Sequence, residues 1–227
     1  MDATVDQYRI DKGRVRASFG RAANRYDAAA ILQKQVREEM LSRLDWVTLS
    51  PKTILDAGCG TGAASHALGK RYAGSHVLSM DFALAMLQKT RARGFFARLL
   101  MQCRGLIGRP RHHLLCADLE QLPLANNSID LLWSNLAMQW CNDLDATFSE
   151  CHRVLRPQGL LMFSTFGPDT LKELRAASHA YPGVTSVSRF IDMHDIGDAL
   201  IRAGFSAPVL DVERYTLTYD DIKSLMR

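Results

Sequence analysis

The sequence predicts an α/β protein with a mostly parallel sheet, helices on both of its faces and an N-terminal helical cap. Three observations lead to this prediction. After residue 50, short apolar segments alternate with amphipathic helical ones; the first apolar segment runs into the glycine-rich turn GCGTG; and residues 4 to 44 carry apolar side chains at spacings of three to five. Alternating strands and helices build parallel sheets, because each helix returns the chain to the end of the sheet where the strand began. We therefore expect a cap over residues 1–48 and a sheet domain over residues 49–227.

The individual elements follow in a regular order. The sequence RAANRYD interrupts the apolar pattern of the cap and predicts two helices there. Five strands are predicted at KTILDAG, HVLSMD, HHLLCADL, IDLLWSN and LLMFSTFG. Helices are predicted at AASHALGKRY, at ALAMLQKTRARG, over residues 142 to 155 (closed by RPQG) and at DMHDIGDALIRAGF. Towards the end, PVLDVERYTLTY alternates like a more exposed strand, and DDIKSLMR has the pattern of a helix.

Composition narrows the functional classes. A net charge of +4 over 227 residues does not by itself indicate a nucleic-acid partner. Five scattered cysteines without a C-x-x-C pair are typical of reduced thiols in the cytoplasm rather than of a disulfide framework or a zinc site. No segment approaches the roughly 18 consecutive apolar residues that a membrane span needs, and the charged N-terminal sequence lacks the apolar core of a leader. We expect a cytoplasmic protein without a metal, nucleic-acid or membrane partner.

The glycine turn alone leaves the ligand open. Gly58, Gly60 and Ala63 satisfy a permissive dinucleotide fingerprint, and Asp81 lies at a suitable distance to hold a ribose, so an NAD-linked oxidoreductase is one reading. Asp56 argues against that reading. It ends the first strand two residues before Gly58, where its carboxylate is expected to face the position of a pyrophosphate, and like charges at close range repel.

Three carboxylates follow three successive strands. Asp56, Asp81 and Asp118 end or follow the first, second and third predicted strands, and the carboxyl ends of parallel strands meet at one edge of a sheet. Asp56 suits an ammonium group, Asp81 can accept hydrogen bonds from two ribose hydroxyls, and Asp118 can accept one from the exocyclic amine of adenine. S-adenosyl-L-methionine presents these groups in that order. Each aspartate taken singly could instead be a turn former or a helix cap.

At these residues the sequence resembles the class I S-adenosylmethionine-dependent methyltransferases, through ILDAGCGTG, MD, CADLEQLPLANNSIDLLWSN and VLRPQGLLMFSTFG. The resemblance implies a Rossmann-like fold, a methyltransferase domain over residues 49–227, and S-adenosyl-L-methionine as cofactor with S-adenosyl-L-homocysteine as product. It also implies which residues bind the cofactor: Gly58, Cys59 and Gly60 at the methionine part, Asp81 and Phe82 at ribose and adenine, Asp118 and Leu119 at adenine, Asn135 and Leu136 beside the methyl donor, with Gly62 and Met86 in the same set.

A closer resemblance suggests the methyl acceptor. The stretches VRASFGRAANRYDAAAILQKQV, NLAMQW, FGPDTLKELR and RFIDMHDIGDALIRAGF are similar to the malonyl-[acyl-carrier protein] O-methyltransferases of biotin synthesis. This family methylates the free carboxylate of a malonyl thioester, an acceptor that is already ionised and needs no general base. The resemblance implies that Tyr26 and Gln33 belong to a lid over the cofactor, and that Tyr26, Asn135 and Gln139 align the reactants.

The acceptor of that family is carried by an acidic protein. We therefore expect a basic docking face, with Arg98, Arg104, Arg109 and Arg111 as candidates in a segment between the second sheet-domain helix and the third strand; a solvated surface is the alternative. Candidates for contacts with the malonyl group are Arg21, Arg25, Arg189 and Trp140. We expect the protein to act as a monomer.

Other functional interpretations of the sequence stay open at this point. FGPDTLKELR and the NLAMQW region also resemble a methyltransferase-fold family associated with respiratory complex I assembly and arginine hydroxylation. A methyltransferase acting on another small acceptor, or a scaffold that only binds cofactor, has the same motifs. Class I methyltransferases usually complete the sheet with an antiparallel seventh strand, and none is predicted here, so we expect a truncated chain or a fragment.

Overall fold

The computed structural model describes residues 9–103, 111–178, 190–219 and 221. In this part of the chain the helices are α1 (Lys12–Ala22), α2 (Tyr26–Ala29), α3 (Ile31–Arg43), α4 (Ala63–Arg71), α5 (Leu84–Cys103), α6 (Leu144–Val154), α7 (Lys172–Ser178) and α8 (Met193–Arg202). The strands are β1 (Thr53–Ala57), β2 (His76–Asp81), β3 (Arg111–Cys116), β4 (Ile129–Asn135) and β5 (Leu155–Ser164). Short 3₁₀ turns lie at Leu44–Trp46 and Met138–Trp140.

The five strands form one parallel sheet in the order β3-β2-β1-β4-β5. The chain first moves outward from β1 to β3 and then returns to the other side of β1 for β4. The strand order therefore reverses at β1, and the carboxyl ends of β1 and β4 diverge there, which is where open α/β sheets bind their ligands. The predicted α/β class and the parallel sheet are confirmed.

Neighbouring side chains on a strand pack against opposite faces of the sheet. Leu55 and Leu132 belong to a core that includes residues of α6 and α8, whereas Ile54 and Trp133 belong to a core that includes residues of α3 and α4. All four side chains have no exposed surface. The sheet is thus covered on both faces, as the near-continuous apolar character of its strands predicts.

The cap rests on the sheet domain through α1 and α3. Helix α1 contacts α5, and α3 contacts β4 and β5. The side-chain amide of Asn135, at the end of β4, donates to the backbone carbonyl of Gln33 over 2.9 Å. The chain breaks between α1 and α2 within the sequence RAANRYD, as predicted, and a short α2 follows the break.

Several predicted element boundaries are wrong. Helix α5 continues through Gly94, its predicted end, for nine more residues to Cys103. A single glycine inside a helix costs only about 1 kcal/mol relative to alanine, so it need not end the helix. Strand β5 begins at Leu155 rather than at residue 160, because Leu155 pairs with Ile129 before the register shifts. Residues 208–219 form no strand. The predicted helix DDIKSLMR lies outside the described residues except for position 221.

The described residues carry no helix that is long and apolar enough to cross a membrane. The four cysteines whose side chains are described, Cys59, Cys116, Cys141 and Cys151, are all free thiols. Within the same ranges no three histidine, cysteine or carboxylate side chains group in a way that could hold a metal ion.

Candidate functional site

The glycine turn between β1 and α4 forms the floor of a cleft. Gly58 and Gly60 have φ values of 76° and 55°, in the left-handed region that side chains rarely adopt. The backbone N–H groups of Gly58 and Cys59 donate to the carbonyl of Met80 over 2.9 and 2.8 Å, which ties the turn to the end of β2. A Cβ on Gly58 would lie 2.3 Å from the Cβ of Ala137. The turn therefore requires glycine for both its backbone conformation and its packing.

Asp81 lies at the end of β2, beside this turn. One carboxylate oxygen accepts from the N–H of Gly60 over 2.9 Å and the other from the N–H of Ala83 over 2.8 Å. The residue is only 6% exposed, and burial raises the pKa of Asp81 above its usual range, although the two N–H donors favour the charged form. Each oxygen keeps a free lone pair. Asp81 is therefore oriented to accept two further hydrogen bonds from a ligand.

Asp118 follows β3 at the other end of the cleft. One of its oxygens accepts from the N–H of Glu120 over 3.1 Å, and the other accepts from the ammonium of Lys12 over 2.6 Å. Leu119, whose side chain is buried, lies beside it on the cleft wall. The two carboxylates predicted to hold the nucleoside thus lie on the same cleft, as the strand-end argument predicts.

The cleft has a volume of about 650 Å³, including its open mouth. The predicted site residues that line it are Tyr26, Gly58, Gly60, Asp81, Phe82, Met86, Asp118, Leu119, Asn135, Leu136 and Trp140. The sequence reasoning missed six further lining residues, namely Lys12, Phe19, Met80, Ala117, Ala137 and Cys141. Four of the six are neighbours in sequence of predicted residues, whereas Lys12 and Phe19 come from α1.

Asp56 lies below the cleft wall and does not line it. It is 1% exposed and accepts a hydrogen bond of 2.5 Å from the hydroxyl of Ser65, which itself accepts from Ser79. Burial, opposed by the Ser65 hydrogen bonds and assisted by the charge of Asp81, raises the pKa of Asp56 to about 7. This differs from the predicted placement, in which Asp56 faces the ligand. Its observed contact instead fixes the first turn of α4, directly after the glycines.

Four other predicted residues also lie off the cleft wall. The thiol of Cys59 is buried near the hydroxyl of Thr90 at 3.8 Å, and a Cβ on Gly62 would meet the same threonine at 2.5 Å. Gln33 contributes its carbonyl to Asn135. These residues lie behind the cleft wall and pack against its neighbours rather than facing the cleft.

Gln139 is the fourth of these residues. Its side-chain amide donates to the carbonyl of Leu136 over 2.6 Å, and its buried side-chain oxygen has no hydrogen-bond partner within the described ranges. Gln139 therefore braces the segment after β4, where Leu136 lines the cleft.

Aromatic rings from the cap form the roof of the cleft. Phe19 of α1 contacts Tyr26, Phe82 and Trp140, with ring centroids 6.2, 6.1 and 5.4 Å apart. Burial, followed by the nearby charge of Asp81, raises the pKa of Tyr26 to about 12, so its phenol stays protonated at neutral pH. The roof is therefore apolar, with one hydroxyl donor.

Four of the seven predicted arginines lie within the described residues. Arg21 and Arg25 lie exposed on the cap and do not line the cleft. Arg98 lies within α5 and Arg111 begins β3, so both belong to regular elements rather than to the connection that was predicted. Arg104, Arg109 and Arg189 lie outside the described residues. Within the described ranges, no arginine lines the cleft.

Comparison with known proteins identifies the class. A family model described as a methyltransferase domain matches residues 55–163, which include the glycine turn, Asp81, Asp118 and Asn135. One chain in the complex of the Haloferax volcanii Trm112 methyltransferase activator with a putative methyltransferase superimposes with a TM-score of 0.64 at 21% identity, covering 82% of this chain and 75% of that one. The fold is that of a methyltransferase domain.

Curated relatives narrow the class to one family. The malonyl-[acyl-carrier protein] O-methyltransferase of Methylovorus sp. (strain MP688) is 64% identical over 224 residues, which are 99% of this chain and 74% of that protein. The protein of the same name from Gallionella capsiferriformans (strain ES-2) is 50% identical over 98% of this chain and 75% of its own length. This chain belongs to the malonyl-[acyl-carrier protein] O-methyltransferase family.

Proposed function

We propose that this protein transfers a methyl group from S-adenosyl-L-methionine to the free carboxylate of malonyl-acyl-carrier protein, as an early step of biotin synthesis. The products are the malonyl methyl ester and S-adenosyl-L-homocysteine. The single observation that carries the proposal is the 64% identity, over 99% of this chain, to a relative named for that reaction. Of the alternatives left open by the sequence, this family assignment favours the malonyl acceptor.

The cleft residues fit the cofactor. Asp81 offers two oriented acceptor oxygens, as vicinal ribose hydroxyls require, and Asp118 offers an acceptor at the far end of the same cleft. The bare glycine backbone at Gly58 and Gly60 lets a ligand approach the floor closely. The lining also includes two carboxylates and one ammonium group, which suits a ligand without phosphate.

Methyl transfer to a carboxylate requires little of the protein beyond alignment of the two reactants. When bound, S-adenosyl-L-methionine supplies a methyl group on a cationic sulfur, and a carboxylate oxygen takes that methyl as the carbon–sulfur bond breaks. A carboxylate is ionised at neutral pH, so no proton has to be removed first. Tyr26 could not act as a general base at neutral pH in any case, because its pKa is raised to about 12 and its phenol stays protonated. Phe19 and Trp140 instead exclude water from the reactants, which favours a reaction that disperses charge.

The acceptor is expected to enter at the open mouth of the cleft, beneath the cap. Trp140 and the exposed Arg21 and Arg25 stay candidates for contacts with the malonyl group, together with Arg189. The basic segment that contains Arg98, Arg104, Arg109 and Arg111 stays the proposed docking face for the acidic carrier. We further propose that residues 1–48 act as the lid, and that the protein works as a cytoplasmic monomer.

The deciding experiment mixes the purified protein with S-adenosyl-L-methionine and malonyl-carrier and measures ester formation by intact mass. A gain of one methyl group on the malonyl carrier, absent with the unloaded carrier and with Asp81→Ala protein, is the expected result. Cofactor binding without ester would instead favour another acceptor or a scaffold role.

Carrier docking is tested separately by the double reversal Arg104→Glu and Arg109→Glu. This variant should raise KM for malonyl-carrier by about tenfold and leave KM for a small malonyl thioester unchanged, because only the carrier brings a large acidic surface. Arg202→Glu, on the exposed side of α8, is the matched control. Equal effects of the double reversal on both substrates would contradict docking at this segment.

A further inference from the structure

Lys12 lies between two carboxylates at the adenine end of the cleft. Its ammonium donates to Asp118 over 2.6 Å and to Glu120 over 2.5 Å. The three side chains are only 23%, 33% and 22% exposed, respectively. An ion pair shielded from water to this degree is screened less by salt than one on the open surface. Burial disfavours the charged form of Lys12, but the hydrogen bonds and charges of the two partners outweigh it, so the pKa of Lys12 is raised.

This contact is part of a larger junction between the cap and the sheet domain. The second oxygen of Glu120 accepts from the N–H groups of Asn142 and Asp143. Asn142 in turn exchanges two hydrogen bonds with the backbone of Ile10, at 2.7 and 3.2 Å. The start of α1 is therefore bound to the segment that contains Asp118 and to the segment that precedes α6. Opening the cap breaks the Lys12 contacts.

Removing the ammonium would leave two like charges side by side. Asp118 and Glu120 each direct an oxygen at the same nitrogen, and without it these oxygens repel. Among the described residues, the Asp118 carboxylate then keeps only the N–H of Glu120 as a partner, over 3.1 Å. A carboxylate held by one backbone donor has more freedom to rotate away from a ligand. With Lys12 in place, each Asp118 oxygen still has a free lone pair for one more donor.

We propose that Lys12 is a positioning residue for the nucleoside: it holds Asp118 in the orientation that accepts the exocyclic amine of adenine, and it couples that hydrogen bond to closure of α1 over the cleft. The inference rests on the proposed function, because it takes S-adenosyl-L-methionine as the ligand. Lys12 acts through Asp118 and is not assigned a contact with the reacting atoms. Its loss should therefore weaken cofactor affinity and leave the methyl-transfer step almost unchanged.

The test compares Lys12→Met, Lys12→Arg and the control Lys34→Met, whose lysine is 65% exposed on α3. Calorimetric titration with S-adenosyl-L-homocysteine should show about a tenfold higher Kd for Lys12→Met, the effect expected of one lost charge-assisted hydrogen bond. Lys12→Arg keeps the charge and should stay within about threefold of wild type, and Lys34→Met should match wild type. In the ester assay, Lys12→Met should raise KM for S-adenosyl-L-methionine with kcat within about twofold.

A double-mutant cycle with Asp118→Asn tests whether Lys12 acts through Asp118. In the Asp118→Asn background, adding Lys12→Met should cost less than about twofold in Kd, because the carboxylate that it positions is already gone. An undiminished tenfold loss in that background overturns the proposal, as does binding by Lys12→Met that is indistinguishable from wild type. A wild-type protein that does not bind S-adenosyl-L-homocysteine at all contradicts the proposed function itself. Melting temperatures of all variants show whether any loss of binding comes from unfolding.

Discussion

The floor and the roof of the cleft are built in different ways. The floor is the carboxyl edge of β1 and β2, where four of the five β1 residues are buried and where backbone N–H groups fix both the glycine turn and Asp81. The roof is α1 and α2, which bury none of their residues and are held by ring contacts and ion pairs of side chains. Regions with few buried contacts open at low free-energy cost. We therefore expect the floor to be the rigid half of the site, and we propose that the roof is the half that moves to admit ligands.

Gly58→Ala should disrupt the floor and is expected to have the largest effect on ligand affinity. The new Cβ would meet Ala137 at 2.3 Å in a backbone with φ of 76°. Strain and overpacking together should lower the free energy of unfolding by about 3 kcal/mol. Because Gly58 lies on the cleft wall, S-adenosyl-L-homocysteine should bind at least about a hundredfold more weakly by calorimetry.

Gly74→Ala is the matched control for this substitution. Gly74 also has a positive φ, 99°, but a Cβ there would meet nothing within 4 Å. It should lower the melting temperature through strain and keep ligand affinity. If both alanine variants bind the ligand equally well, the floor does not depend on the close approach at Gly58.

Phe19→Ala should loosen the roof without unfolding the protein. Phe19 contacts three other rings of the site, and aromatic pairs contribute about 0.5–1.5 kcal/mol each. We expect about a tenfold loss of affinity for S-adenosyl-L-homocysteine, with a change in unfolding free energy of about 2 kcal/mol, because three such pairs are lost. Calorimetry and denaturant titration measure the two effects.

Phe148→Ala provides the contrast, because this ring is fully buried in the core between the sheet and α6. It should cost about 3–5 kcal/mol of unfolding free energy. If Phe19→Ala destabilises the protein as much as Phe148→Ala does, α1 is an integral part of the folded core and not a movable roof.

Asp56→Asn should affect ligand binding least, because Asp56 does not line the cleft, and its effect should appear as a pH dependence of stability. The pKa of Asp56 is raised to about 7 in the folded protein, so between about pH 4 and pH 7 the folded state binds more protons at this group than the unfolded state does. The contribution of Asp56 to stability is therefore largest at low pH and falls as the pH rises through this window. An asparagine has no such dependence.

The melting temperature of wild type relative to Asp56→Asn should consequently be higher at about pH 5 than at about pH 8. Asp130→Asn serves as the control. Burial opposes the charged form of Asp130, but Arg156 and two backbone N–H donors outweigh it, and its pKa is lowered. Asp130 is thus ionised from about pH 5 to about pH 8. The difference in melting temperature between wild type and Asp130→Asn should therefore be the same at both pH values. A constant difference for Asp56→Asn as well would mean that its carboxyl group is ionised throughout.

Local sequence patterns predicted much of the site, but only where residues close along the chain set the geometry. Asp81 and Asp118 could be placed at the cleft because each follows a parallel strand, and such strands end at one edge of the sheet. Asp56 follows the same rule in sequence but packs inward, against Ser65. In a sheet buried on both faces the apolar pattern does not distinguish an inward from an outward carboxylate.

The sequence by itself determined the alternation of strands and helices, the glycine turn and the carboxylates that follow the strands, because these depend on backbone geometry and on contacts close along the chain. Only the tertiary structure decided that Lys12 meets Asp118, 106 residues away, and that Phe19 completes an aromatic roof with Tyr26, Phe82 and Trp140. Such contacts leave no periodic signal in the sequence. They arise from how the cap packs on the sheet, which is set by the sum of many weak interactions distant along the chain.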